Sequence, residues 1–102
     1  MTFAWDELEP HIARQGMQIQ LQATNLEPSE MIGRTIVFHW EDLGWSIGTI
    51  VRSTTKSEQR KSGCNFLVRH TGEDLDRFHL LLFNEKCAAG GMAPAGSWCF
   101  LM

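Results

Sequence analysis

Trp40 and Trp45, His39, His70 and His79, three cysteines and a few clustered charges are the residues here with chemistry to offer. The histidines are candidate metal ligands. A metal centre needs ligands that converge and a second shell that orients them, and no His-x-His at strand spacing exists. Cys64, Cys87 and Cys99 are odd in number, with no CxxC pair. Zinc wants about four ligands at close spacing, so neither a metal nor a cofactor is expected. Asp42, Glu73, Asp74 and Asp76 are candidates for acid–base work, but a catalytic carboxylate needs a cleft that tunes its pKa. They read instead as solvated turns or as an acidic rim for a basic ligand, and no enzyme is expected. Trp40 and Trp45 offer ring faces to a cation, although Trp45 also suits a core. Arg52, Lys56, Arg60 and Lys61, opposed only by Glu58, form the one locally basic stretch; with Arg69 they are candidates for phosphate contact.

The elements that must position these groups are mostly strands. Residues 32–51, IGRTIVFHWEDLGWSIGTIV, read as a hairpin: Arg34 to Trp40, a turn at Glu41-Asp42-Leu43-Gly44, then Gly44 to Val51. Gly33 and Gly48 flank it, where glycine permits bends. MQIQLQAT, Met17 to Thr24, alternates strictly, and its neutral glutamine face suits an edge strand. Cys64 to His70 is a further strand, and after a Thr71-Gly72-Glu73-Asp74 turn Arg77 to Phe83 is strand-like or a short 3₁₀-plus-strand piece. Ser97 to Met102, SWCFLM, is a short apolar strand whose expected neighbour is MQIQLQAT. Exposed, it would be an aggregation liability. The segment from Phe3 to Met17 reads as an amphipathic helix capped by Thr2, with Pro10 arguing against one continuous helix. Asn25 to Glu30 and Asn84 to Gly96 read as loops, and Arg52 to Gly63 as a mobile, solvated one.

The totals bound the answer. The 102 residues allow one domain, and 43% hydrophobic residues make wholesale disorder unexpected. A net charge of −3 gives no whole-chain reason for strong binding to nucleic acid or anionic lipid. The cysteine pattern fits reduced thiols inside a cell. Acidic residues stand where the basic region of a signal peptide would be, and no apolar run approaches a membrane span.

The pattern of Gly33, a strand ending in Trp40, the acidic turn Glu41-Asp42, then GWSIGTI, FLVRH, TGED and Leu80 resembles the Tudor-like group of small bent barrels, which includes chromo-barrel and plant Agenet-type domains. The resemblance covers about residues 32–83. It implies a mainly-β, five-stranded bent barrel at 32–83. Residues 1–31 (a helical turn and a strand) and 84–102 (a strand) would be flanking extensions packed on it within one domain, 1–102. It also implies a non-catalytic recognition module for a basic peptide or protein tail, methylated in the chromatin-associated case. Trp40, Trp45, His70, Glu73 and Asp74 would bind that ligand. Trp40 falls where such domains carry a cage aromatic, Ser46 or Ile47 where they often carry a second, and His70 where they usually have tyrosine. The cage is therefore incomplete unless Phe38, Trp45 or Phe78 supplies a wall. Two alternatives stand beside it: nucleic-acid binding through Arg52, Lys56, Arg60 and Lys61, and a scaffold domain whose termini, at Trp5 and Trp98, self-associate into a homodimer. No membrane partner is expected. The location is intracellular, and nuclear if the chromatin reading holds.

Overall fold

A computed structural model describes residues 1–20, 26–82 and 91–102. Its centre is the expected hairpin. Strands β2 (Thr35–Trp40) and β3 (Gly44–Ser53) pair antiparallel from Thr35 opposite Thr49 to Trp40 opposite Gly44. The turn needs left-handed backbone at Asp42 (φ 62°) and at Gly44 (φ 103°). Aspartate tolerates that region and glycine adopts it freely. Gly44 is fixed a second way. A Cβ there would lie 2.6 Å from the carbonyl oxygen of Phe3, whose backbone joins that of Trp45 through two 2.7 Å hydrogen bonds.

Strand β4 (Phe66–His70) pairs with β3 across a bulge between Ile50 and Arg52, and β5 (Arg77–His79) pairs with β4. Strand β6 (Trp98–Leu101) takes the other edge of β2, and β1 (Ile19–Gln20) pairs with β6, Ile19 opposite Leu101. The union of MQIQLQAT with SWCFLM is therefore as expected, with β1 at an edge; residues 21–24 of that stretch lie outside the described residues. Phe83, Cys87 and most of the 84–96 loop do too.

The barrel is corrected. Among the described residues the six strands form one open sheet in the order β1-β6-β2-β3-β4-β5, and the outer strands do not pair with each other. The physical reason is β6. By occupying the free edge of β2, it removes the edge on which a barrel over 32–83 would close. The carboxyl-terminal strand is thus an inner member of the sheet, not an extension, and residues 32–83 contribute four of the six described strands rather than five of their own. The Tudor-like resemblance falls with the closure, and so does the chromatin association that rested on it.

Helix α1 (Trp5–Arg14) is longer than a helical turn. Its N-cap is Ala4, not Thr2, and the Glu7 carboxylate accepts the Ala4 N–H at 3.2 Å. Pro10 lies inside it without ending it. Proline leaves the carbonyl four residues back without a donor, and here both Pro10 and Asp6 face water. Leu8 and Ile12, four apart, bury the opposite stripe. The mobile loop at 52–63 is corrected as well: Lys56–Ser62 forms helix α3. Thr55 and Glu58 make a reciprocal capping box, and Gly63 ends the helix in left-handed backbone at φ 72°. Between these, Pro28–Met31 makes the single turn α2, with proline at its first position. None of the described helices is long and apolar enough to cross a membrane.

The sheet separates two apolar layers. On one face Ile36, Phe38, Ile50, Phe66, Val68, Trp98 and Phe100 pack with Met31 and Leu81. On the other, Val37, Trp45, Cys99 and Leu101 pack under Leu8 and Ile12 of α1. Each such side chain contributes roughly 1.5–3 kcal/mol on burial.

Candidate functional site

Period two decides what meets on the first face. Phe38 and Trp40 of β2, Ser46 and Gly48 of β3, and His70 of β4 project to the same side, because Phe38 opposes Ser46 and Gly48 opposes His70. Gly48 leaves the room. A Cβ there would stand 2.8 Å from Val68 Cγ1 and 3.1 Å from His70 Nδ1. The imidazole of His70 therefore lies over β3 and reaches the Ser46 hydroxyl.

The result is a chain of hydrogen bonds. Trp40 Nε1–H donates to Ser46 Oγ at 2.8 Å; Ser46 Oγ meets His70 Nδ1 at 2.7 Å; His70 Nε2 meets His79 Nε2 at 2.7 Å. Indole nitrogen only donates, so Ser46 Oγ accepts from Trp40, and the order that leaves no hydroxyl proton without an acceptor sets the rest. In that order the Ser46 hydroxyl donates to His70 Nδ1. His70 then carries hydrogen on Nε2 and donates it to His79 Nε2, and His79 keeps its proton on Nδ1. Ser46, His70 and His79 are all buried. Burial pushes the His79 pKa down to about 3, with His70 and Arg77 adding to the shift. His70 is lowered too, by burial first, against an opposing pull from Glu73. Both rings are neutral in the folded state near pH 7.

Above this chain sits Trp40. Its ring is half-buried and packs against Phe38, His70 and His79 at centroid distances of 5.4, 5.0 and 4.9 Å. The acidic turns leave from the same strands: Glu41 and Asp42 follow Trp40, and Glu73 and Asp74 follow His70. Glu41, Asp42 and Asp74 are exposed, while Glu73 accepts from Arg77 at 3.2 Å.

The five expected ligand residues do not form one cage. Trp40, Glu73 and Asp74 share one end of the sheet. His70 lies there too, but beneath Trp40 and 1% exposed. Trp45 is on the opposite face, 2% exposed, stacked flat on His39 at 4.4 Å and packed on Trp5. A one-residue offset in β3 separates Trp45 from Ser46 and sends them to opposite sides. Asp76 is held by Arg69 at 2.8 Å. Of the basic stretch, Arg52 pairs with Glu58 at 2.8 and 3.0 Å, and Glu58 is lowered to about 2 by that contact. Lys56, Arg60 and Lys61 stand exposed on α3. Trp98 is wholly buried within the sheet, while Trp5 is partly exposed.

Ser46 and His79 are the members that the sequence reading left without a role in the site. The alternation Phe38/Trp40, Ser46/Gly48, Phe66/Val68/His70 carries the signal, since it assigns Ser46 to the face of His70. Chemically, serine, histidine and a third orienting group in series match the order of a nucleophile, its base and its support. Here, however, the hydroxyl is 1% exposed under Trp40, out of a substrate's reach. Among the described residues no three potential ligands converge on a metal position. A groove of about 350 Å³ between α1 and β1, lined by Trp5, Ile12, Ala13, Met17 and Ile19 with Glu9 and Gln18, is apolar and separate from this chain.

No family model, no curated protein and no solved structure matches the chain.

Proposed function

We propose that this is a non-catalytic interaction domain that binds a basic peptide or protein tail at the Trp40 end of the sheet. The observation that carries the reading is the state of Trp40. Its N–H is tied to Ser46 and its ring rests on two neutral histidines, yet the residue is only partly buried and stands at the end of the sheet from which two acidic turns leave. A lysine or arginine laid on such a face gains about 0.5–2 kcal/mol, depending on desolvation. Glu41, Asp42 and Asp74 steer it there. One aromatic wall suits an unmodified cation better than a methylated one, which needs an enclosing cage.

The test is an amide NMR titration with arginine- and lysine-rich peptides, beside a Trp40→Phe variant. Shifts centred on Trp40, Glu41, Asp42, Glu73 and Asp74, weakened in the variant, are expected. Absence of shifts at these residues overturns the reading. A second reading, nucleic-acid binding, is supported by the three exposed cations on α3. It expects salt-sensitive shifts confined to 56–61 on adding duplex or single-stranded DNA, abolished by Arg60→Glu with Lys61→Glu.

A further inference from the structure

Helix α1 carries a second stripe beside the one it buries. Leu8 and Ile12 take the sheet side. Trp5, Glu9 and Ala13, spaced at i, i+4 and i+8, line a groove of about 350 Å³ along the helix flank. The facing wall is the chain as it returns from the helix. Gly16 turns in left-handed backbone at φ 72°, and the Met17 N–H reaches back to the Ile12 carbonyl at 3.2 Å. Gln18 then exchanges two 2.9 Å backbone hydrogen bonds with Met102. Met17, Gln18 and Ile19 are thereby fixed alongside α1. Ile12, Met17 and Ile19 make the lining apolar, and Ala13 contributes only a methyl group to it.

We propose that this groove binds a small apolar amine, its ammonium held between Trp5 and Glu9 and its hydrocarbon part laid over Ile12, Met17 and Ile19. Small-ligand sites are concave and mostly apolar, with a few polar groups that fix orientation, and the groove has that make-up. Glu9 is what selects an amine. It is the only charged residue of the lining, and among the described residues its carboxylate makes no ion pair. Trp5 stands one helical turn away, so a cation beside Glu9 also meets an indole ring, which attracts it. An anionic ligand would meet the carboxylate with nothing to offset it, since Arg14 of α1 does not line the groove. The groove lies across the sheet from Trp40 and does not depend on the peptide reading.

Amide NMR titration of the full chain at pH 7 with hexylamine, 1-hexanol and hexanoate, which share one chain length, tests this. Hexylamine should shift the Trp5 indole N–H and the amides of Ala13, Gln18 and Ile19. Affinity should fall from hexylamine to hexanol to hexanoate. Ala13→Leu should abolish the shifts by filling the groove. Glu9→Gln should weaken hexylamine about threefold and leave hexanol unchanged. Both positions are exposed, and far-ultraviolet circular dichroism confirms that each variant is folded. No shift at these residues, shifts that survive Ala13→Leu, or hexanoate binding as tightly as hexylamine overturns the proposal. So do shifts there that appear on concentrating the protein alone and do not respond to hexylamine, since a second copy then fills the groove.

Discussion

Each face of the sheet buries a serine beside histidine, and the two faces treat them differently. On the Trp40 face, Ser46 has a donor and an acceptor, and the chain continues through two imidazoles. On the α1 face, His39 stacks on Trp45, and neither its Nδ1 nor the Ser97 hydroxyl has a hydrogen-bond partner. The difference shows what the polar groups are for. One set holds an aromatic ring in place by hydrogen bonds. The other is held by packing, with its polar atoms incidental. A buried polar network stabilises when fully satisfied and costs when any member is missing.

Acid should break the comparison most strongly. His70 and His79 are held below the ordinary histidine range, His79 near 3. In the unfolded chain both titrate near 6.5. Above pH 6.5 neither state takes up protons at these groups and stability is flat. Below pH 6.5 the unfolded chain binds protons that the folded chain refuses, down to about 3 for His79, so stability falls by up to about 1.4 kcal/mol per pH unit for each histidine held fully neutral. Urea denaturation from pH 8 to 5 should reveal the decline, and His79→Gln should shallow it.

Next in size is Ser46→Ala. It strands Trp40 Nε1 and His70 Nδ1 together, at about 1–3 kcal/mol for each buried group left unpaired; chemical denaturation measures the sum, and the Trp40 indole resonance should move. Gly48→Ala acts on the same chain by force, since its methyl meets Val68 and displaces the His70 ring. A cost of about 1–3 kcal/mol is expected. The smallest effect belongs to the other face. Ser97→Ala removes a hydroxyl that makes no hydrogen bond and should change stability by less than about 0.5 kcal/mol, or raise it. A loss from Ser97→Ala as large as that from Ser46→Ala would erase the distinction between the faces.

Much of the architecture was legible where alternation was strong. The hairpin at 35–53 follows from its β-branched and aromatic runs around a short acidic turn, and the union of Ile19 with Leu101 from the strict alternation of MQIQLQAT. Closure was not legible, because it depends on which strand takes the free edge of β2, and nothing local in SWCFLM says that it will insert there. Helix α3 was legible but overlooked. Thr55-Lys56-Ser57-Glu58 is a capping-box sequence and Gly63 a stop, yet a segment with no residue to bury reads as a loop when burial is the only criterion. Of the candidate site residues, Trp40 and the acidic turns lie together at one end of the sheet, but residue type does not say which face a strand residue takes. Trp45, open to both a ligand and a core reading, is a core residue, because a tryptophan beside a turn says nothing of its face until the register is known. Ser46 was noticed only as a gap in an aromatic cage, and its hydrogen-bonding role was missed for the converse reason: a small polar residue shows its partners only when its cross-strand neighbours are in view.

The most direct test is of the proton order in the chain beneath Trp40. Two-bond nitrogen–hydrogen NMR correlations on imidazole-labelled protein at pH 7 identify which ring nitrogen of each histidine carries hydrogen. The account requires His70 protonated at Nε2 alone and His79 at Nδ1 alone, both neutral, with a slowly exchanging Trp40 indole proton. Hydrogen on His70 Nδ1, a charged ring at either position, or an indole proton that exchanges as freely as in an exposed tryptophan would contradict it.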